Sequence, residues 1–506
     1  MKSPEILQNI SRARTISGVI LLIVLAIAIT YTVTVHSFPD SQNTTIIQPG
    51  SMQAQASYII FTDGTTTYAR NGTTGEIQFS GSNSSAVINN ALGNTRGVVF
   101  VSKGNYTITS SIVMNTGNSL VGEGWETILN AGQNLNASVI VNYVVLYGGM
   151  ANDRMQVSNL KINGANDTGL IINNTTVSKA KGIEWSNVFD SSITGVYVYD
   201  CGQDGISLFA CGSTVIRDNT LYRNGYYANN TSNASQNFYA CGLFVKDFNY
   251  SSNTYDLIIT NNHAAWNGKD GINVYCARNV VISDNVAESN QEDGIYVAES
   301  ICTTVVGNTV NHNGWNNVSY ANGQVKGSDG ITVQSCEQVT VSGNIAFQNG
   351  CYAYVNGKYW DQGDGIAMGK CLHTSVTGNS VSFNFGHGIN LGGSNYTTVS
   401  GNVVWDNNCS RKYQNDSTYT ADGIHMASWN LDNPPDLCWY NVITGNIVTD
   451  DQSPHGQGWG IAEADQGCNF TVIVSNTCID NLRGGIKTNG TSSHVADSYN
   501  GLSWPQ

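Results

Sequence analysis

Two aspartates and a histidine hold matching places in three short words of this sequence: GSDGI at Gly327–Ile331, GDGIA at Gly363–Ala367 and GHGI at Gly386–Ile389. Two carboxyl groups beside an imidazole make a chemically capable set. If Asp329 and Asp364 lie close, their repulsion keeps one protonated and leaves the other ionised, which is what glycosidic cleavage requires. His387 beside them would hold a proton or tune the pair. The same cluster would instead take Ca²⁺ and, with Lys487, His425 or a loop tyrosine as base, support β-elimination or C5 epimerisation of a uronate. No CxxC or His/Cys spacing resembles a zinc site. Against all of these stands a structural role. Asp before Gly is good turn chemistry, and Asp204, Asp270, Asp293, Asp329, Asp364 and Asp422 all stand there.

The elements that would position these groups come from a repeat. Gly-Ile/Leu words recur from Gly182 to Gly485, with shortest steps of 23 residues, as from Gly271 to Gly294. One full unit, Asp270 to Glu292, reads as three short strands separated by corners. Such a unit cannot bury its apolar side chains alone. Stacked at about 4.8 Å, successive units pair every strand with its neighbour and close a continuous Val/Ile core. The expected fold is all-β, a three-sided parallel solenoid. Asn219, Asn262, Asn285, Asn308, Asn344, Asn379, Asn402 and Asn446 recur at one corner, where Asn tolerates left-handed backbone and can bond its equivalent one coil away. On the DGI strand, Asn273, Tyr296, Thr332, Asn390, His425 and Lys487 alternate with Ile and Val and so face outward. The orientation of the aspartates is open, because the glycine after each can reset the alternation.

Insertions gather at one corner, just before the DGI word, and are rich in aromatic residues such as Tyr226, Trp315, Tyr359 and Trp360. Trp429 and Trp439 belong to a separate insertion. Loops along one edge of a rigid scaffold are where binding usually resides, and exposed rings suit the apolar faces of sugars. His425, Asp422, Lys487, Tyr359, Trp360, Tyr296 and Asn390 are the expected substrate-binding residues.

Residues Ser84–Gly124 read as a short amphipathic helix followed by first strands, with Gly97, Val99, Phe100, Gly104, Tyr106 and Ile108 in a G-x-V-x-F…G-x-Y-x-I pattern. Here the chain resembles the pectate lyase-like right-handed β-helix superfamily, over roughly residues 55 to 490. That superfamily holds hydrolases, lyases, epimerases and non-catalytic adhesins, so the resemblance implies a fold before an activity. Within it, polygalacturonases place Asn-Thr-Asp-Gly, Gly-Asp-Asp and Gly-His-Gly on successive coils. That resemblance implies that Asp329 and Asp364 are catalytic carboxylates and His387 their supporting neighbour. The chain departs from the pattern at Gly365, where the second Asp of Gly-Asp-Asp would stand, and at Gly485, where an arginine would precede Ile486 and Lys487.

The net charge of −14 and the lack of a basic stripe argue against a nucleic-acid partner. The apolar run from Ile16 to Val35 follows Lys2, Arg12 and Arg14, and predicts a membrane-spanning helix with a cytoplasmic N-terminus; the alternative is a cleaved signal peptide. The expected organisation is a cytoplasmic 1–15, a transmembrane or signal-anchor helix 16–35 and a linker 36–54. A cap with first strands at 55–110, a β-helix at 111–490 and a tail at 491–506 follow. All 12 cysteines lie from Cys201 onward; Cys351, Cys409 and Cys438 are the candidate disulfide partners, and Cys211, Cys336 and Cys371 a candidate stack of buried thiols. The reading is of a single-pass, membrane-anchored extracellular β-helix protein acting on a polysaccharide by hydrolysis or uronate lysis. The alternative is a non-catalytic glycan-binding or adhesin surface.

Overall fold

The computed structural model describes residues 55–501, apart from 133, 134, 136, 166–179, 227–239, 248–253, 315–327, 356, 357, 410–420, 430–435 and 454. The apolar run at 16–35 therefore lies outside the described residues, as do the linker and most of the insertions. Among the described residues no helix is long and apolar enough to cross a membrane.

Among the described residues three sheets of 13, 14 and 17 strands form the body, parallel throughout except for the antiparallel N-terminal strands of the largest, and each coil contributes one short strand to each. In the coil that begins at Asp270 these are Ile272–Tyr275, Arg278–Ser283 and Val286–Glu288, here called the first, second and third faces. Register is kept without slippage: Ile295, Ile331, Ile366, Ile389, Ile424 and Ile461 follow one another rung by rung on the first face. These isoleucines are fully buried, with Val280, Ile282 and Ala287 closing the same core from the other two faces. Each strand thus finds its hydrogen-bond partners one coil away, as the solenoid expectation requires.

At the N-terminal end, three antiparallel strands between Tyr58 and Gly81 lead into the helix Ser84–Gly93. Asn83 caps it by accepting the Ala86 amide at 3.2 Å, and its buried face of Val87, Ile88, Ala91 and Leu92 seals the core.

Two asparagine ladders hold the corners. Between the second and third faces, Asn285 donates Nδ2 to Ile259 O at 2.9 Å and to Asn308 Oδ1 at 3.0 Å; equivalent bonds run from Asn219 to Asn476. The left-handed residue is the one before each asparagine: Asp218, Asn261, Asp284, Gly307, Gly343, Gly378, Gly401 and Gly445 all have positive φ. The asparagine itself was expected to carry that strain. Its task is instead to bond, and the preceding Asp, Asn or Gly turns the chain. A second ladder, unforeseen, runs Asn224, Asn267, Asn290, Asn313, Asn349, Asn384 and Asn407 at the corner before the first face.

At the third corner Cys211, Cys336 and Cys371 are buried, with Ser300, Ser394 and Cys438 in the same inner column. Their Sγ and Oγ atoms donate to carbonyls of the coil, as Cys371 Sγ does to Val333 O at 3.3 Å and Ser394 Oγ to Met368 O at 2.8 Å. Cys438 is a free thiol rather than half of a disulfide, Cys409 Sγ donates to the Phe383 carbonyl at 3.1 Å, and the side chain of Cys351 lies outside the described atoms.

Candidate functional site

The aspartates before the DGI strand form a column that ties one coil to the next. Oδ1 of Asp270 accepts the backbone N–H of Asp293 at 3.1 Å, Asp293 that of Asp329 at 2.6 Å, and Asp329 that of Asp364 at 2.7 Å. Asp364 continues it by accepting the His387 amide at 2.6 Å. The second oxygen receives a side chain: Asn273 for Asp270 at 2.6 Å, Thr332 for Asp329 at 3.0 Å, and His425 for Asp422 at 2.8 Å, each three residues ahead. Asp364 is followed by Ala367, which has nothing to offer, and takes Nδ2 of Asn390 from the next coil at 2.8 Å. The alternation left open by the sequence resolves as a corner bracket, neither inward nor free in solvent. Asp204, Asp270, Asp293 and Asp422 are buried; Asp329 and Asp364 are only half-buried.

His387 occupies the aspartate's place in this column. Its Nδ1 accepts the backbone N–H of Asp422 at 2.8 Å. A backbone amide only donates, so Nδ1 is the acceptor and the ring proton sits on Nε2. Burial, reinforced by the imidazole of His425, pushes the His387 pKa down to about 3, against the pull of Asp422. The ring is therefore neutral at physiological pH.

Asp422 holds the next imidazole the other way round. Burial alone would raise this carboxyl. The hydrogen bond from His425, the two neighbouring rings and the Trp459 amide on Oδ1 at 2.8 Å bring it below the ordinary carboxylate range. An ionised carboxylate only accepts, so Nδ1 of His425 carries a proton, and in the neutral ring Nε2 presents a lone pair. The two rings stack at 3.8 Å between centroids and 25° between planes. With His425 neutral, opposite tautomers lie face to face: Nε2 of His387 donates and Nε2 of His425 accepts. Asp364, pushed upward by burial against the hydrogen bonds from Asn390 and His387, lies beside them.

Along the outer side of the first face the register runs Tyr296, Thr332, Ala367, Asn390, His425, Ala462, Lys487. Short alanines flank the Asn390–His425 pair on both sides. Of the expected site residues, Asp364, His387, Asn390, Asp422 and His425 come together, and Asp329 follows one rung away. Tyr296 lies three rungs from Asn390 with its hydroxyl donated to Gln334 at 2.8 Å, and Lys487 two rungs from His425. Tyr359 and Trp360 fall on the hairpin strand Lys358–Gln362, paired with Cys351–Val355, and their side chains lie outside the described atoms. The sequence signal that was missed is the polar residue three after Asp, in D-G-I-N, D-G-I-T and D-G-I-H.

Ca²⁺ does not suit this donor set. It asks for six to eight oxygens. Among the described residues the one cluster of three metal-capable groups is His387, Asp422 and His425, which offers two imidazoles and one carboxylate. His387 is also a poor ligand for any cation, because Nδ1 is occupied by the Asp422 amide and Nε2 carries the proton.

The family description "Right handed beta helix region" matches residues 150–310 and 247–359. Comparison with curated proteins gives no match. Among solved structures, the chain is similar to the A-module of the mannuronan C-5 epimerase AlgE4 of Azotobacter vinelandii, with 16% identity, a TM-score of 0.51 and coverage of 81% of this chain and 95% of that one. The A-module of AlgE6 from the same organism gives 15% identity, a TM-score of 0.50 and coverage of 83% and 96%. PfbA, a surface adhesin of Streptococcus pneumoniae, gives 10% identity, a TM-score of 0.49 and coverage of 81% and 89%. At these identities the likeness is one of fold.

Proposed function

We propose that this chain, which belongs to the right-handed parallel β-helix superfamily, acts on a uronate-containing polysaccharide by removing the proton at C5 of the sugar. Nε2 of His425 is the base in this reading. The observation that carries it is the pair of opposite tautomers, fixed by the Asp422 carboxylate on one ring and the Asp422 amide on the other. Asp422 orients His425 and stabilises the imidazolium that forms when the proton is taken. His387, neutral and with Nε2–H, donates toward the negative charge that develops on the uronate carboxyl group. Asp364, from the coil before, holds the His387 amide and is itself held by Asn390, and Lys487 lies further along the outer column to meet an anionic chain. Return of a proton to C5 would give epimerisation, and departure of the 4-linked sugar would give an unsaturated end.

Proton abstraction is favoured over hydrolysis by two carboxylates because both oxygens of Asp329 and of Asp364 already accept hydrogen bonds within the column. The same observation favours a second reading, a glycan-binding surface without catalysis, in which the whole column is structural. That the fold hosts uronate chemistry is illustrated by the mannuronan C-5 epimerase A-modules. Within this proposal the 16–35 segment anchors the chain to a membrane and the β-helix lies outside the cell.

The test is incubation of the full chain with polymannuronate, polygalacturonate and a neutral glucan, following unsaturated-product absorbance, reducing ends and sugar configuration. The reading expects change at uronates that is lost in His425→Gln. New reducing ends without unsaturation or epimerisation would favour hydrolysis, and silence across the panel would favour the binding surface.

A further inference from the structure

Two residues beyond Ala367 and Asn390, on the same outer side of the first face, stand Gly369 and Gly392, where neighbouring coils carry Tyr275, Ala298 and Gln334. Neither glycine has the left-handed backbone that would demand the residue type. Space explains them. A Cβ at Gly369 would lie 2.9 Å from Cζ3 of Trp429, and one at Gly392 would lie 2.7 Å from Cε3 of the same ring. The next residue, Gly393, has φ +61° and faces Cβ of Trp429. The indole is thus seated against a floor of bare backbone from two adjoining coils, and Trp429 is nevertheless 53% exposed.

The rim of this platform is polar. Nζ of Lys370 lies 5.9 Å from the Trp429 ring centre and 2.7 Å from Oδ2 of Asp436, whose carbonyl accepts the Trp429 amide at 3.0 Å. Beyond it opens a cavity of about 440 Å³ lined by Lys370, Gly393, Asn395, Tyr396, Asp436 and Trp439. Two residues along a strand span about 7 Å, so the indole stands roughly one sugar ring away from the His425–Asn390 pair in the direction of the strand.

We propose that Trp429 is a stacking platform for one hexuronate ring of the polysaccharide, with Lys370 meeting the carboxylate of that ring. This rests on the reading of the His425 site given above and extends it to a neighbouring subsite. A pyranose has one apolar C–H face, which an indole covers well, and a rim of hydroxyls, which suits the polar groups around it. The continuity with the histidine column favours a uronate over a neutral sugar here, and the Lys370 ammonium, with three N–H donors, can hold the sugar carboxylate alongside Asp436.

Calorimetric titration of the full chain with a mannuronate hexamer and with a neutral β-linked glucose hexamer tests this. Trp429→Ala should weaken the uronate hexamer at least tenfold, and Trp429→Phe about threefold or less. Gly392→Val, which pushes the ring off its floor, should weaken it as Trp429→Ala does. Thermal melting of each variant checks that the fold is kept, as expected for an exposed ring. If the hexamer binds through Trp429 but is never altered, the catalytic reading fails and the platform stands. Equal binding by Trp429→Ala and the parent, no binding by the parent, or Trp429-dependent binding no weaker for the glucose hexamer would overturn the proposal.

Discussion

Nδ1 of His387 accepts the backbone N–H of Asp422 at 2.8 Å, the bond that Asp364 makes with His387 itself one coil earlier. A histidine enters the aspartate column without breaking it because its Nδ1 sits where the carboxylate oxygen would. What changes is the outward edge, where an N–H replaces an acceptor.

Burial holds His387 neutral in the folded chain down to about pH 3, against 6.5 for a free imidazole. Its folded pKa is depressed, so its contribution is complete above pH 6.5 and is lost as pH falls from there toward 3, because the unfolded chain binds the proton first. The slope for one such group is at most about 1.4 kcal/mol per pH unit. Asn at this position keeps an acceptor and cannot titrate. Urea unfolding of His387→Asn should therefore decline less steeply between pH 6 and 5 than that of the parent, and parallel curves would count against a buried neutral ring.

Asp422→Asn should leave the Trp459 amide bonded while presenting N–H to Nδ1 of His425, which reverses the tautomer and protonates Nε2. The expected loss in kcat is about 10²–10⁴-fold with little change in KM. A proportional rise in KM alone would mean that Asp422 shapes binding rather than proton transfer.

Asn308 is fully buried and its side chain bonds Ile282 O, Val306 O and Asn344. Asn308→Ala strands those partners within the corner, at a cost of about 1–3 kcal/mol. Denaturant unfolding should show it clearly, whereas a mutation at exposed Trp429 should move the midpoint little.

Of the 11 described cysteines, Cys302 alone is exposed and the rest are buried or half-buried. Alkylation of the native chain, mapped by mass spectrometry, should label Cys302 first among these, with Cys336, Cys371 and Cys438 labelled only after unfolding. Early labelling of the inner column would contradict the packed thiol–hydroxyl corner.

The solenoid was legible because its causes are local and repeated: Ile and Val at alternate places, Asn at fixed corners, Gly after Asp. The residues that meet at the site were legible for the same reason, since register converts Asn390 and His425, 35 residues apart, into neighbours. Their roles were not. Whether Asp329 and Asp364 are free depends on which oxygen meets which amide, and the reset of alternation at the corner hides this from the sequence. Tautomers are hidden too, because the partner of His387 is a backbone group common to every residue. Trp429 stood out only as an aromatic in an insertion; its floor of Gly369 and Gly392 became meaningful once the coils were stacked.

The central claim is that Nε2 of His425 takes a proton from C5 of a uronate. Proton NMR of a mannuronate oligomer incubated with the full chain in D₂O reads this directly. The account predicts loss of the C5 proton signal, through exchange, inversion or elimination, with the parent chain and not with His425→Gln. A C5 signal that persists while the oligomer is cleaved, or that disappears equally with His425→Gln, would contradict it.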